Sequence, residues 1–245
     1  MTGTTDTTGM RDAHAAHGSV DPPARPGAAT ASFTAEAWER AAPVRDAIDA
    51  LPLVRGLGEG SLTRDRFDYY MAQDALYLAE YGRALAGVAA LSDEPDEFVF
   101  WCDAAREAVV VERALHAAHV DLTAGADASP TCRAYTDFLR ARCALGSYGV
   151  AVAAVLPCFW IYQDVGAGMI ARAGDLGAHP YGDWIATYAD PAFERSTDRV
   201  RSIADRLAQA AGDGERERMH ASFATACRHE WMFWDAAWRM ERSPV

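Results

Sequence analysis

No run of about 18 uninterrupted apolar residues occurs in the 245-residue chain, so no segment reads as a membrane-spanning helix. The first 31 residues contain no apolar stretch of the kind a secretory signal needs. There is no CxxC pair: the five cysteines, at 102, 132, 143, 158 and 227, are odd in number and scattered, which suggests neither a disulfide framework nor a thiolate zinc site. A reducing, cytoplasmic setting is the expectation. Basic charge is in deficit. With 23 basic against 35 acidic side chains the net charge is −12, and no basic stripe offsets it, so neither nucleic acid nor a membrane surface is an expected partner. Hairpin signals, strand-like alternation and a repeat of fixed period are also missing.

What is present is a helical pattern. Residues 1–31 are rich in Thr, Gly, Ala, Pro and Asp and would bury too little surface to offset their ordering entropy, so a disordered N-terminal tail is expected there. From Phe33 onward, stretches of 3.6-residue period are separated by short Gly, Pro, Ser or Asp signals. Thr63 caps a segment over 64–91, Asp93 and Pro95 open one over 94–122, and Ser129–Pro130 starts a third. Further helices are read over 147–173, after Pro180, from Asp190–Pro191, and from Gly214 to Met240. With a segment over 33–50 this makes about eight helices in a single all-α bundle domain over 32–245.

Three polar groups sit where apolar ones are expected. On the last helix Glu230 shares its face with Phe223, Ala226, Cys227, Phe233, Trp234 and Ala237. A carboxyl in such a stripe is partnered, protonated or lines a ligand cavity, and desolvation moves its pKa toward the range useful for acid–base work. On 64–91, Asp74 is flanked by Tyr70, Tyr77, Leu78 and Tyr81 at helical spacing. That face suits a flat heteroaromatic ring whose amino group the carboxylate accepts from, and it equally suits a core tyrosine stripe with Asp74 as its acceptor. Third, Pro157 interrupts a long helical pattern immediately before Cys158, at a cost of about 3 kcal/mol in a helix interior. Cys158 and Tyr162 stack at i, i+4, so a thiol meets a phenol; a buried inert cysteine has the same spacing.

These residues fall within a longer pattern: PLVRGLGEGSL at 52–62, RFDYYMAQDALYL at 66–78, SPTCRAYT at 129–136, LPCFWIYQDVG at 156–166, WIATYAD at 184–190 and EWMFW at 230–234. In order and spacing, from about Trp38 to Trp238, it resembles the TenA family of thiaminase II enzymes. The resemblance implies a heme-oxygenase-like helical bundle, a homotetramer, that needs no metal or other cofactor. It further implies hydrolysis of thiamin or of aminomethylpyrimidine breakdown products to 4-amino-5-hydroxymethyl-2-methylpyrimidine. At matching positions Cys158 resembles the family nucleophile and Glu230 the group that protonates the ring nitrogen. Asp74 looks like the carboxylate that recognises the amino group, and Tyr77, Tyr135, Tyr162, Tyr188 and Phe233 fall where the family shapes its pocket. Tyr162 and Tyr188 are placed to orient the thiol or the attacking water. The chain departs from the pattern at Phe159, where a tyrosine is familiar, and at Leu76, which bears on substrate preference.

Two other readings use the same bundle. Glu112, His116 and His119 stand at i, i+4, i+7 and have the spacing of iron ligands, as a di-iron oxygenase would require, although no matching His accompanies Asp164 near Cys158. The other is a pyrimidine-binding or regulatory protein without turnover; the presence of both Cys158 and Glu230 speaks against it.

Overall fold

Helix starts in the structure coincide with the cap signals of the sequence. The computed structural model describes residues 31–119 and 127–243, and of 111–119 the helical backbone alone. Ser32 accepts a hydrogen bond from the Ala35 amide at the start of α1 (Phe33–Arg40), and Pro43 lies in the first turn of α2 (Ala42–Asp49). Then follow α3 (Pro52–Glu59), α4 (Arg64–Ala90), α5 (Pro95–His119) and α6 (Pro130–Leu145), the last capped by Ser129 on the Cys132 amide. Ser147 caps α7 (Tyr148–Ala173) through the Val150 amide, and Asp190 caps α9 through that of Ala192. A single 3-10 turn at Leu176–Ala178 leads into α8 (Gly182–Tyr188), α9 (Pro191–Ala210) and α10 (Asp213–Arg239). No strand occurs among the described residues. The expected tail over 1–31 lies, apart from Ala31, outside them; Ala31–Val245 is one compact unit.

The described residues hold ten α-helices rather than about eight. The segment 33–50 breaks at Ala41 because Pro43 has no N–H and its ring would clash with the Glu39 carbonyl in a continuing helix. The segment after it forms a helix of its own, started by Pro52 and ended by Gly60 in the left-handed region at φ 72°.

Around α7 the bundle is closed on all sides. It packs against α3, α4, α6, α8, α9 and α10, and every residue from Gly149 to Tyr162 is buried. By length and hydropathy α7 is the one described helix that could cross a membrane, yet 83% of its apolar window is inside the protein, which is what a helix apolar all round signifies in a bundle. Pro157 does not end this helix. Its cost of about 3 kcal/mol is outweighed by neighbours such as Val155, Leu156 and Ile161, each worth about 1.5–3 kcal/mol when fully buried. The Tyr81 hydroxyl also donates to the Val155 carbonyl at 2.8 Å.

A polar chain ties α5, α7 and α9 together. The Trp101 indole N–H donates to the Tyr148 hydroxyl (2.7 Å), which donates to Glu97 (2.7 Å), and Arg206 clamps both oxygens of that buried carboxylate at 2.7–3.1 Å. On the other side of the core, Gly166 lets α8 approach α7: a Cβ there would lie 3.0–3.1 Å from Tyr188 Cβ and its carbonyl group.

Candidate functional site

A cavity of about 710 Å³ opens among α4, α5, α7, α8 and α9. Its inner wall is built by helical spacing: Asp74, Leu78 and Tyr81 come from α4, and Cys158, Phe159 and Tyr162 from α7. Tyr188, brought close by Gly166, and Phe193 at the start of α9 complete it. Tyr162 touches the Tyr188 ring at 4.9 Å and Phe193 stands edge-on to Tyr188 at 5.5 Å. The wall is thus mostly aromatic, with one carboxylate and one thiol.

Behind it lies a second layer. Glu230 from α10 is 1% exposed, and the Tyr135 hydroxyl from α6 donates to its Oε1 at 2.6 Å. Burial pushes the Glu230 pKa up to about 8; the Tyr135 hydrogen bond opposes this and the charge of Asp74 adds to it. Its carboxyl is therefore protonated at neutral pH. The Tyr77 ring packs between those of Tyr81 (5.5 Å), Tyr135 (4.9 Å) and Phe233 (5.4 Å). Its hydroxyl is buried without a regular hydrogen bond and lies beside the Cys158 thiol and the Tyr135 hydroxyl. Burial, then the charge of Glu230, raise the Cys158 pKa well above its usual value, while the Tyr77 and Tyr81 hydroxyls pull it down. The resting site therefore holds a thiol, not a thiolate.

All eight residues singled out in the sequence belong to this one cluster. Asp74, Cys158, Tyr162 and Tyr188 line the cavity; Glu230, Tyr77, Tyr135 and Phe233 form the layer packed behind it. Tyr81 and Phe159, noted in the sequence without a site role, and Phe193, not noted there, line the same cavity. Tyr81 was legible from its i+7 spacing to Asp74, whereas Phe193 reaches the site only through the packing of α9. His229 adjoins the site as well. It points away from Glu230 around the helix, yet its ring stacks flat on Tyr135 at 5.0 Å, so it adjoins Glu230 through that phenol. The side chains of Glu112, His116 and His119 lie outside the described residues, and among those described no group of three or more His, Cys, Asp or Glu is placed to hold a metal ion.

An all-helical bundle with an aromatic-walled cavity, a thiol and a carboxyl in that wall and a second carboxyl buried behind it, defines the class: a heme-oxygenase-like helical protein. It superimposes with a TM-score of 0.68 on a domain described as having a heme oxygenase-like fold, from Shewanella denitrificans, at 13% identity and covering 84% of this chain and 92% of that one. With a TenA homologue from P. horikoshii the TM-score is 0.77 at 25% identity, covering 86% and 100%. The chain belongs to the TENA/THI-4/PQQC family, whose model matches residues 38–240. It is 31% identical over 215 residues to the aminopyrimidine aminohydrolase of Halalkalibacterium halodurans, covering 84% of this chain and 96% of that protein. It is also 38% identical over 213 residues to the thiamine biosynthesis multifunctional protein ThiED of Corynebacterium efficiens; there it covers 84% of this chain and spans only 28% of the relative's length.

Proposed function

We propose that this chain is an aminopyrimidine aminohydrolase of the thiaminase II type. It cleaves thiamin or an aminomethylpyrimidine derived from it and releases 4-amino-5-hydroxymethyl-2-methylpyrimidine. The observation that carries the reading is the meeting of Cys158, Glu230 and Asp74, from three different helices, closely enough that both carboxyls act on the thiol's pKa. The names of relatives that match over most of the chain support it.

The aromatic wall stacks on the pyrimidine and Asp74 accepts from its amino group. Cys158 Sγ bonds to ring C6 while the Glu230 proton passes to ring N1; the thiol proton takes its place on Glu230, so the pair keeps its proton count. Ring electrons then expel the substituent on the exocyclic methylene, which departs with the bonding pair alone: a thiazolium leaves as neutral thiazole and an ammonium as ammonia. Water adds to that methylene, and Cys158 leaves as the ring N–H proton is returned and aromaticity is restored. Covalent attack divides one hard displacement into easier steps. Tyr162 and Tyr188 orient the thiol and the water. Because the resting thiol is protonated, nucleophilicity is generated by proton transfer within the bound complex, which protects Cys158 from adventitious electrophiles.

The reading includes a homotetramer and a cytoplasmic setting; for the latter, the five cysteines are all unpaired, as a reducing compartment would keep them. The test is to incubate the purified protein with thiamin and with aminomethylpyrimidine and to follow the hydroxymethyl product by mass spectrometry, with the native mass measured by light scattering. Folded protein that releases no such product from either substrate overturns the reading.

A further inference from the structure

The inner wall described above accommodates one ring, but the cavity extends beyond it. At about 710 Å³ it is of the size that encloses a drug-sized ligand rather than a single small heterocycle. Its outer part is charged, and the signs are sorted. On α5, Asp103 and Glu107 stand at i, i+4 and line one side; on α9, Arg195 and Arg199 stand at i, i+4 and line another. Neither arginine has an acidic partner among the described residues, and the ion pair Glu107 makes there is with its chain neighbour Arg106, at 3.4 Å. No salt bridge joins the two walls, although they border the same cavity. The helices bearing them are held by the Glu97–Arg206 clamp and its Tyr148 and Trp101 partners, so part-buried hydrogen bonds fix their spacing.

Opposite charges that border one cavity and do not neutralise each other suit a ligand that carries both signs. We propose that the outer cavity is a leaving-group subsite selective for a zwitterionic substituent: a cationic heterocycle faces Asp103 and Glu107, and an anionic group, phosphate or carboxylate, is bound by Arg195 and Arg199. Guanidinium forks match either anion bidentately. This inference rests on the pyrimidine-cleaving reading and assigns its second specificity element. All four side chains are exposed, so the discrimination is moderate, about tenfold for each wall, and weakens with salt.

The test compares kcat/KM for three substrates that share the pyrimidine: aminomethylpyrimidine, whose leaving group is ammonia and does not reach the outer walls; thiamin, with a cationic leaving ring; and thiamin monophosphate, with cation and anion together. A fourth substrate, in which the leaving amine bears a carboxylate, distinguishes carboxylate from phosphate as the preferred anion. Wild type is expected to favour the monophosphate over thiamin about tenfold, a preference that shrinks as salt is raised. Arg195→Gln with Arg199→Gln should erase that preference, and Asp103→Asn with Glu107→Gln should lower both thiamin substrates about tenfold. Neither pair should change turnover of aminomethylpyrimidine. If aminomethylpyrimidine is converted but the monophosphate is no better than thiamin, or the arginine variant slows all substrates alike, the subsite is overturned and the underlying reaction stands. If no substrate yields the hydroxymethyl product, the reaction and the subsite fall together.

Discussion

Replacing Glu230 with Gln separates its proton from its shape. The amide keeps an oxygen for the Tyr135 hydroxyl, now 2.6 Å from Oε1, and nearly the same volume, so packing is retained while proton transfer is lost. The structure sets the size of two effects. First, moving the carboxyl pKa from 4.5 to about 8 costs the ionised form about 5 kcal/mol relative to the unfolded chain. Because the folded pKa is the higher one, wild-type stability from this group is complete below pH 4.5, declines as the unfolded chain alone releases its proton, and is lost once pH passes about 8. The Gln variant does not titrate, so urea unfolding measured from pH 5 to 9 should show the variant gaining on wild type by a few kcal/mol as pH rises. Second, general acid catalysis is worth about 10²–10⁴ in rate, so kcat should fall by that much. Wild-type kcat/KM, which reports the free enzyme, should decline above pH about 8, and that limb should be absent in the variant. A variant that retains kcat, or one that keeps the high-pH limb while its stability runs parallel to wild type at every pH, refutes both the burial argument and the assignment of Glu230 as acid.

Tyr135→Phe removes the hydrogen bond that lowers the Glu230 pKa, so the high-pH limb should move upward; a downward move contradicts the geometry. Cys158→Ser should abolish turnover and leave product affinity within about tenfold, about 1.4 kcal/mol by titration calorimetry. In the unliganded wild type, peptide mapping after iodoacetamide at neutral pH should find exposed Cys102 alkylated well before Cys158; the reverse order would mean that burial does not hold the thiol protonated. Gly166→Ala puts a methyl 3.0 Å from Tyr188 Cβ and should cost about 1–3 kcal/mol in thermal unfolding while reducing kcat/KM, because Tyr188 is displaced from the cavity wall.

Much of the fold was legible because the signals that start and stop helices are local. Ser129, Ser147 and Asp190 cap helices within three residues of themselves, and Pro52 with Gly60 delimits α3. The reactive cluster was legible for a related reason: a helix's period shows which face is apolar, and Glu230 and Asp74 violate it. Where the outcome depends on tertiary burial, local rules give no reason for it. Pro157 costs the same in any helix, but only the surrounding layer of helices makes its continuation affordable. The raised pKa of Cys158 was not legible either, since its adjacent residues carry no hint of the Glu230 carboxyl that reaches it from α10. Nor does any sequence spacing relate Asp103 to Arg199: they border one cavity solely because α5 and α9 flank it.

The burial of α7 on every side has a consequence for how the chain is made. Synthesis delivers its apolar surface before α9 and α10, two of the helices that cover it, and α10 ends roughly 66 residues after α7 does. At about 5–20 residues per second, that stretch takes about 3–13 s to emerge from a ribosome. During this interval the helix that carries Cys158 is a 26-residue apolar segment whose packing partners α8, α9 and α10 are still being made. Slowing translation downstream of Ala173 lengthens the exposure of this apolar helix in direct proportion.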